Sequence, residues 1–180
     1  MKRIYVIVGP SGSGKTSLGL YMETLGIVKL VTCTNRPRRT GETDGKDYYF
    51  VNDAFFESEN FLEKVDYAGT KRGLLKREID RKLAMSDEVY ALMDSNGLQA
   101  MKKEYGSMVL SIGLKTDWDT CYRHMMERGD RPQDIERRKT WFEKNQEADL
   151  WKQTDVWIDA TGTKEEMFRS FDSIRMKNGV

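Results

Sequence analysis

Gly9-Pro10-Ser11-Gly12-Ser13-Gly14-Lys15-Thr16 matches G-x-x-x-x-G-K-[ST] at every fixed position. A loop that wraps a triphosphate must turn its backbone N–H groups inward, through unusual φ/ψ angles and at close approach. Glycine permits both. A helix opening at Lys15 points its positive end at the bound anion. Lys15 supplies a mobile charge for the β- and γ-phosphates, and the Thr16 hydroxyl can enter the shell of a Mg²⁺ carried with the nucleotide. The contacts expected for ATP run from Ser11 through Gly12, Ser13, Gly14, Lys15 and Thr16 to Ser17.

The flanks give the loop its context. Ile4–Val8 is a continuous apolar, β-branched run, as expected of a strand buried on both faces of a parallel sheet. A helical pattern follows from Lys15 to about Leu25, and Val28–Thr34 reads as a second strand. Asn35–Lys46 holds four basic residues with Pro37, Gly41 and Gly45, so it is expected as a loop. Tyr48–Val51 and Phe61–Val65 read as short strands of a small insert. Beyond Leu74 the alternation resumes: helix Lys76–Met85, strand Val89–Met93, helix Gly97–Glu104, strand Met108–Leu114, helix Asp117–Arg128. After a polar break at Gly129–Gln133, one long helix is predicted from Asp134 to about Trp151, then the strand Val156–Ile158. Thr163 and Glu166 form a capping box for a last helix striped by Met167, Phe171 and Ile174. Five apolar strands alternating with helices predict an α/β fold with a parallel sheet.

Composition narrows the function. The 180 residues carry 30 Lys and Arg against 29 Asp and Glu, a net charge of +1. That balance argues against a general nucleic-acid surface, which needs excess positive charge to displace counterions. Anion binding must then come from local arginine clusters. Cys33 and Cys121 are far apart and His124 is the single histidine, so no His- or Cys-based metal site is expected. No stretch approaches the roughly 20 apolar residues of a membrane span, and Met1–Val8 lacks the features of a signal peptide. Cytoplasm is the expected location, with monomer and homodimer both open.

Downstream, Thr32-Cys33-Thr34-Asn35-Arg36-Pro37-Arg38-Arg39-Thr40-Gly41-Glu42 leads into Asp44-Gly45-Lys46-Asp47-Tyr48-Tyr49-Phe50-Val51. Two arginines three apart can fork around a phosphate dianion with planar donors, and a nearby tyrosine can add a phenolic hydrogen bond. This segment resembles the nucleotide-acceptor segment of guanylate kinases, T-T-R-x-P-R-x-G-E-x-x-G-x-D-Y-x-F-V. Arg36 and Arg39 fall on its two arginines and Tyr48 on its tyrosine, while Pro37 sits one place early. Phe61-Leu62-Glu63 matches F-[IL]-E and Asp94-Ser95-Asn96-Gly97 matches D-x-Q-G. Arg128-Gly129 with Ile135-Glu136-Arg137-Arg138 resembles the mobile lid, one residue shorter than usual.

The resemblance implies a P-loop NTPase-type, parallel five-stranded sheet with helices on both faces. It implies one domain over residues 1–180: core 1–34, 76–127 and 138–180, an acceptor-binding insert at 35–75, and a lid at 128–137. It implies a kinase moving the γ-phosphoryl of MgATP to GMP or dGMP, or to a broader set of deoxynucleoside monophosphates. Lys15, Arg36, Arg39, Arg128 and Arg138 would neutralise charge during transfer. Arg131, Arg137 and Arg138 all compete for the second lid role. The acceptor would be held by Thr32, Arg36, Arg39, Tyr48, Glu63, Arg72 and Asp94, with Glu63 on the guanine edge. Further positions depart from the family. Arg72 and Leu74 stand where it has tyrosine and Ser/Thr, unless a gapped alignment on Tyr67-Ala68-Gly69-Thr70 applies. Leu92 replaces an acid, and Asp159-Ala160 stands for N-D. The rivals are a related small-phosphate kinase, such as a ribose bisphosphate phosphokinase, a non-catalytic guanylate-kinase-like interaction module and a P-loop NTPase.

Overall fold

A computed structural model describes residues 2–67 and 70–179. Ala68 and Gly69 of the gapped alignment therefore lie outside the described residues. β1 (Arg3–Val8) is the middle strand of the main sheet, and Ile4 to Val8 are all buried. It pairs in parallel with β7 (Glu88–Met93) on one side and β8 (Val109–Lys115) on the other. β2 (Val28–Lys29) adds beyond β7 and β9 (Val156–Asp159) beyond β8, giving the order β2-β7-β1-β8-β9 with every pairing parallel.

Alternation along β1 divides its side chains between two cores. Ile4, Val6 and Val8 pack with Ile79 and Leu83 of α3 (Lys76–Met85) and with Leu98 and Met101 of α4 (Ser95–Tyr105). Tyr5 and Ile7 pack with Leu18 and Met22 of α1 (Lys15–Thr24) and with Met167 and Phe171 of α7 (Lys164–Lys177). Helices therefore cover both faces, as a parallel sheet requires. Full burial of each such side chain contributes about 1.5–3 kcal/mol, so these layers hold the fold.

The stretch Val28–Thr34 departs from the single strand expected of it. Val28–Lys29 belongs to the main sheet, whereas β3 (Cys33–Thr34) joins a second, four-stranded sheet in the order β4-β3-β6-β5. Its other members are β4 (Tyr49–Phe50), β5 (Phe61–Tyr67) and β6 (Thr70–Leu75), and α2 (Asp53–Ser58) lies between β4 and β5. At the hand-over, buried Glu78 of α3 accepts the N–H of Val31 at 3.3 Å. A side chain thus replaces a ladder bond and lets the chain change sheets. β6 carries Lys71, Arg72 and Gly73 and shows no strand pattern, yet it is held by β3 on one side and β5 on the other. A side chain at Gly73 would meet the Phe61 ring at 2.6 Å and the Glu63 carbonyl at 2.8 Å.

The long helix expected over 134–151 is two elements. α6 (Pro132–Lys144) starts two residues early, with Pro132 in the first turn where its missing N–H costs nothing. Gln146 is left-handed at φ 50°, and Glu147–Gln153 continues as a 3₁₀ segment. That segment lies flush on β8: a side chain at Gly113 would come within 2.5 Å of the Trp151 Cα. Docking on the sheet outweighs the weak local preference for helix. The helix before α6, namely α5 (Trp118–Glu127), is N-capped by Asp117. The expected capping box on α7 is present, with Thr163 and Glu166 exchanging bonds. No described helix is long and apolar enough to cross a membrane.

Candidate active site

The phosphate loop joins β1 to α1. Gly12 (φ 86°) and Gly14 (φ 95°) adopt backbone angles that side-chain-bearing residues rarely take. Gly14 is the N-cap of α1 and offers no side chain, and the first turn contains no acid. By contrast α2, α4, α5 and α7 are each capped by a side-chain oxygen. The N-terminal N–H groups of α1 are thus left for an anion. Lys15 folds back and donates to the carbonyls of Gly9 at 2.6 Å and Pro10 at 2.7 Å. Burial pulls its ammonium down to about 8; Glu147 opposes that shift, while the charges of Arg128 and Arg138 add to it. Those two lid arginines therefore converge electrostatically on the phosphate loop.

Two aspartates sort the four arginines around the lid. Asp130 accepts from Arg128 at 2.9 and 2.6 Å and also from Arg138. Their guanidinium groups hold the Asp130 carboxyl below the usual carboxylate range. Asp134 pairs with Arg131 at 2.8 Å and Arg137 at 3.8 Å, both largely exposed. Both arginines on Asp130 act on the Lys15 ammonium, whereas Arg131 and Arg137 are paired outward on Asp134.

The insert gathers the acceptor candidates. Tyr48 lies between two guanidiniums, with Arg36 5.1 Å and Arg72 5.6 Å from its ring centroid. Arg36 donates to Glu42, at 2.8 Å through Nη1 and also through Nη2, while its Nε is buried with no hydrogen-bond partner. Arg36 and the Arg39 N–H hold the Glu42 carboxyl at about 2. The Arg39 side chain is exposed, without an ion pair among the described residues. Thr32 is half-buried, and its carbonyl accepts from Tyr49. Next along, Thr34 is fully buried, its hydroxyl donating to the Lys71 carbonyl at 3.0 Å.

Glu63 on β5 faces Leu74 on β6 directly across the ladder. Leu74 is fully buried and packs in the same core as Ile4, Val6 and Val8, so Glu63 has hydrocarbon and no hydroxyl directly across from it. Glu63 Oε2 is buried and has no hydrogen-bond partner. Burial, then the nearby charge of Asp94, push its carboxyl up to about 7. Asp94 itself caps α4, accepting the Gly97 N–H at 2.9 Å. Asp159 turns back onto Thr161, and Ala160 is part of the core. Leu92 packs against the α1–α7 core. A cavity of about 540 Å³ is lined by Tyr49, Val51, Phe55, Leu75, Glu78 and Arg81, and by none of the expected acceptor residues.

Two residues of the site escaped sequence reasoning. Glu147 is half-buried near Lys15 and Asp94, hydrogen-bonded to Trp141, with its carboxyl pushed up mainly by burial. It sits one residue beyond the left-handed Gln146, a break that helical periodicity did not signal. Asp130, the anchor of two lid arginines, did have a signal, since it is the one acid between Arg128 and Arg131.

Residues 1–166 match the model of the guanylate kinase family. The guanylate kinase of Thermobifida fusca (strain YX) is 34% identical over 144 residues, covering 76% of this chain and 74% of its own length. That of Symbiobacterium thermophilum is 27% identical over 179 residues, covering 96% and 82%. The crystal structure of guanylate kinase from Anaplasma phagocytophilum superposes with a TM-score of 0.71 at 20% identity, covering 98% of this chain and 86% of that one, which is a likeness of fold. With its family-model match over residues 1–166 and these relatives, the chain belongs to the guanylate kinase family.

Proposed function

We propose that this chain transfers the γ-phosphoryl group of MgATP to the phosphate of GMP or dGMP. The observation that carries the guanine reading is Glu63: a buried carboxylate oxygen without a hydrogen-bond partner, in a carboxyl that burial and nearby Asp94 push up to about 7. Leaving such an oxygen unpaired is costly, and guanine offers two adjacent donors, N1–H and the exocyclic amine. Adenine has no donor at that ring nitrogen. Arg36 and Arg39 hold the acceptor phosphate, and Arg72 supplies a further guanidinium near the Tyr48 ring. Tyr48, whose ring lies near both Arg36 and Arg72, adds a phenolic hydrogen bond to that phosphate. Thr32 and Asp94 complete the acceptor wall.

On the donor side, residues Ser11 to Ser17 wrap the triphosphate, and its oxygens take over the donors that Lys15 gives to Gly9 and Pro10. Thr16 is exposed at the first turn of α1, and no cluster of three acidic, His or Cys residues fit for a metal exists among the described residues. A single hydroxyl suits Mg²⁺, which keeps waters and takes most other ligands from phosphate. When bound with ATP, it supplies charge neutralisation at the β- and γ-phosphates. The chain's own part is positioning: Lys15, Arg128 and Arg138 surround the transferred group, and the insert and lid exclude water.

A coupled assay of ADP release over eight ribo- and deoxyribonucleoside monophosphates tests this. GMP and dGMP should be turned over and AMP should not. ADP release independent of acceptor would instead favour an NTPase, and no turnover with any acceptor an interaction module. Lys15→Ala should abolish transfer with the fold intact; near-normal activity would end the reading.

A further inference from the structure

His124, the single histidine, lies in the last turn of α5 and is absorbed by none of the roles above. Its Nδ1 is 2.8 Å from the carbonyl oxygen of Gly12 in the phosphate loop, 112 residues away in sequence. A carbonyl can only accept, so Nδ1 carries the proton and donates. The same peptide unit is tied at its other end, where the Ser13 N–H donates to the Pro10 carbonyl at 3.2 Å. The Gly12–Ser13 peptide plane is thus held from both sides.

The loop also rests directly on α5. A side chain at Gly12 would meet the Cys121 carbonyl at 2.6 Å and its Cα at 3.0 Å. Cys121 and His124 are three apart, one above the other on the same helix face. His124 in turn reaches the lid: its carbonyl accepts the backbone N–H of Arg128, the residue that ends α5, at 3.3 Å. One residue therefore touches the phosphate loop through its ring and the lid arginine through its backbone.

We propose that His124 is a positioning residue for phosphoryl transfer, locking the Gly12–Ser13 peptide of the phosphate loop to the helix that ends at Arg128. It does not touch the reacting atoms. It sets the orientation of a peptide whose neighbours must aim their N–H groups at the triphosphate, and keeps that peptide in register with Arg128. The proposal rests on the kinase reading above.

The test uses the full chain with His124→Ala, His124→Asn and His124→Gln. Asn places an amide nitrogen where Nδ1 stands, whereas Gln places one where Nε2 stands. MgATP binding by titration calorimetry and steady-state kinetics with GMP are read together. The alanine variant should bind MgATP about tenfold more weakly, the scale of one lost hydrogen bond, and lower kcat. Its KM for GMP should stay within about twofold, since the acceptor pocket lies elsewhere. Asn should restore MgATP binding and Gln should not. Wild-type MgATP affinity in the alanine variant, equal rescue by Asn and Gln, or an equal rise in the KM for GMP would each overturn the proposal. If His124→Ala melts early, the Asn–Gln contrast decides alone, because both keep helical backbones. Loss of wild-type turnover with every acceptor would sink the kinase reading instead, and calorimetry would still report on His124.

Discussion

Lowering the pH from 8 to 6 should weaken acceptor capture about tenfold, because Glu63, the carboxyl proposed to read guanine, is pushed up to about 7. Only ionised Glu63 accepts two donors; once protonated, it turns one acceptor into a donor. With a value of about 7, roughly nine-tenths of the free enzyme is competent at pH 8 and one-tenth at pH 6. The cause is written into the sheet. Burial is the larger part, and the residue directly across the ladder is the fully buried Leu74. Leu74→Ser puts a hydroxyl within cross-strand reach, and one hydrogen bond to the charged form should move the break down by about one pH unit. The assay is kcat/KM for GMP from pH 5.5 to 8.5 at saturating MgATP, which reports the free enzyme. The acceptor phosphate ionises near pH 6 on its own account, so Glu63→Gln serves as the control: it should lose the break near 7 and keep only the lower one. A wild-type profile flat between pH 8 and 6, or a Glu63→Gln profile with the same break, would refute the reasoning. Stability carries an independent readout. Between about 4.5 and 7 the folded chain holds a proton at Glu63 that the unfolded chain releases, so this residue costs stability as pH rises through that window. Glu63→Gln should therefore raise Tm at pH 8, by at most the equivalent of about 3 kcal/mol, and leave it unchanged at pH 4.

Arg138→Ala should cut kcat by about a thousandfold, as for arginines that steady transferring phosphoryl charge, while Arg137→Ala, paired outward on Asp134, should change it less than about fivefold. Comparable losses in single-turnover measurements of the two variants would contradict the sorting by Asp130 and Asp134. Thr163→Ala removes one half of the capping box on α7 and should lower stability by about 1 kcal/mol, or about 2–4 °C in Tm, without changing kcat. Gly73→Ala forces a methyl into the Phe61 ring and the Glu63 backbone; it should destabilise the insert by about 1–3 kcal/mol and raise the KM for GMP before that for ATP.

The sequence alone determined what local chemistry can determine. Ile4–Val8 is apolar throughout because both its faces are covered, so the buried strand was legible without a structure. Gly12 and Gly14 were legible as phosphate-loop residues because few others take their backbone angles. Thr163 and Glu166 announced a helix start because a capping box is complete within four residues. Tertiary structure decided whatever depends on partners distant in the chain. Lys71 to Gly73 carry no strand pattern and became strand because β3 and β5 hold them from both sides. Glu147 reads as helix interior, and packing of the following segment on β8 brings it to Lys15 instead. Arg131, Arg137 and Arg138 are equivalent as letters; the fold pairs Arg138 with Asp130 and the other two with Asp134. Glu63 and Asp94 are far apart in the chain, and only folding that buries the one and brings the other near gives the Glu63 carboxyl its raised affinity for a proton. Periodicity, glycine geometry and capping act over a few residues, whereas charge environment is a sum over space.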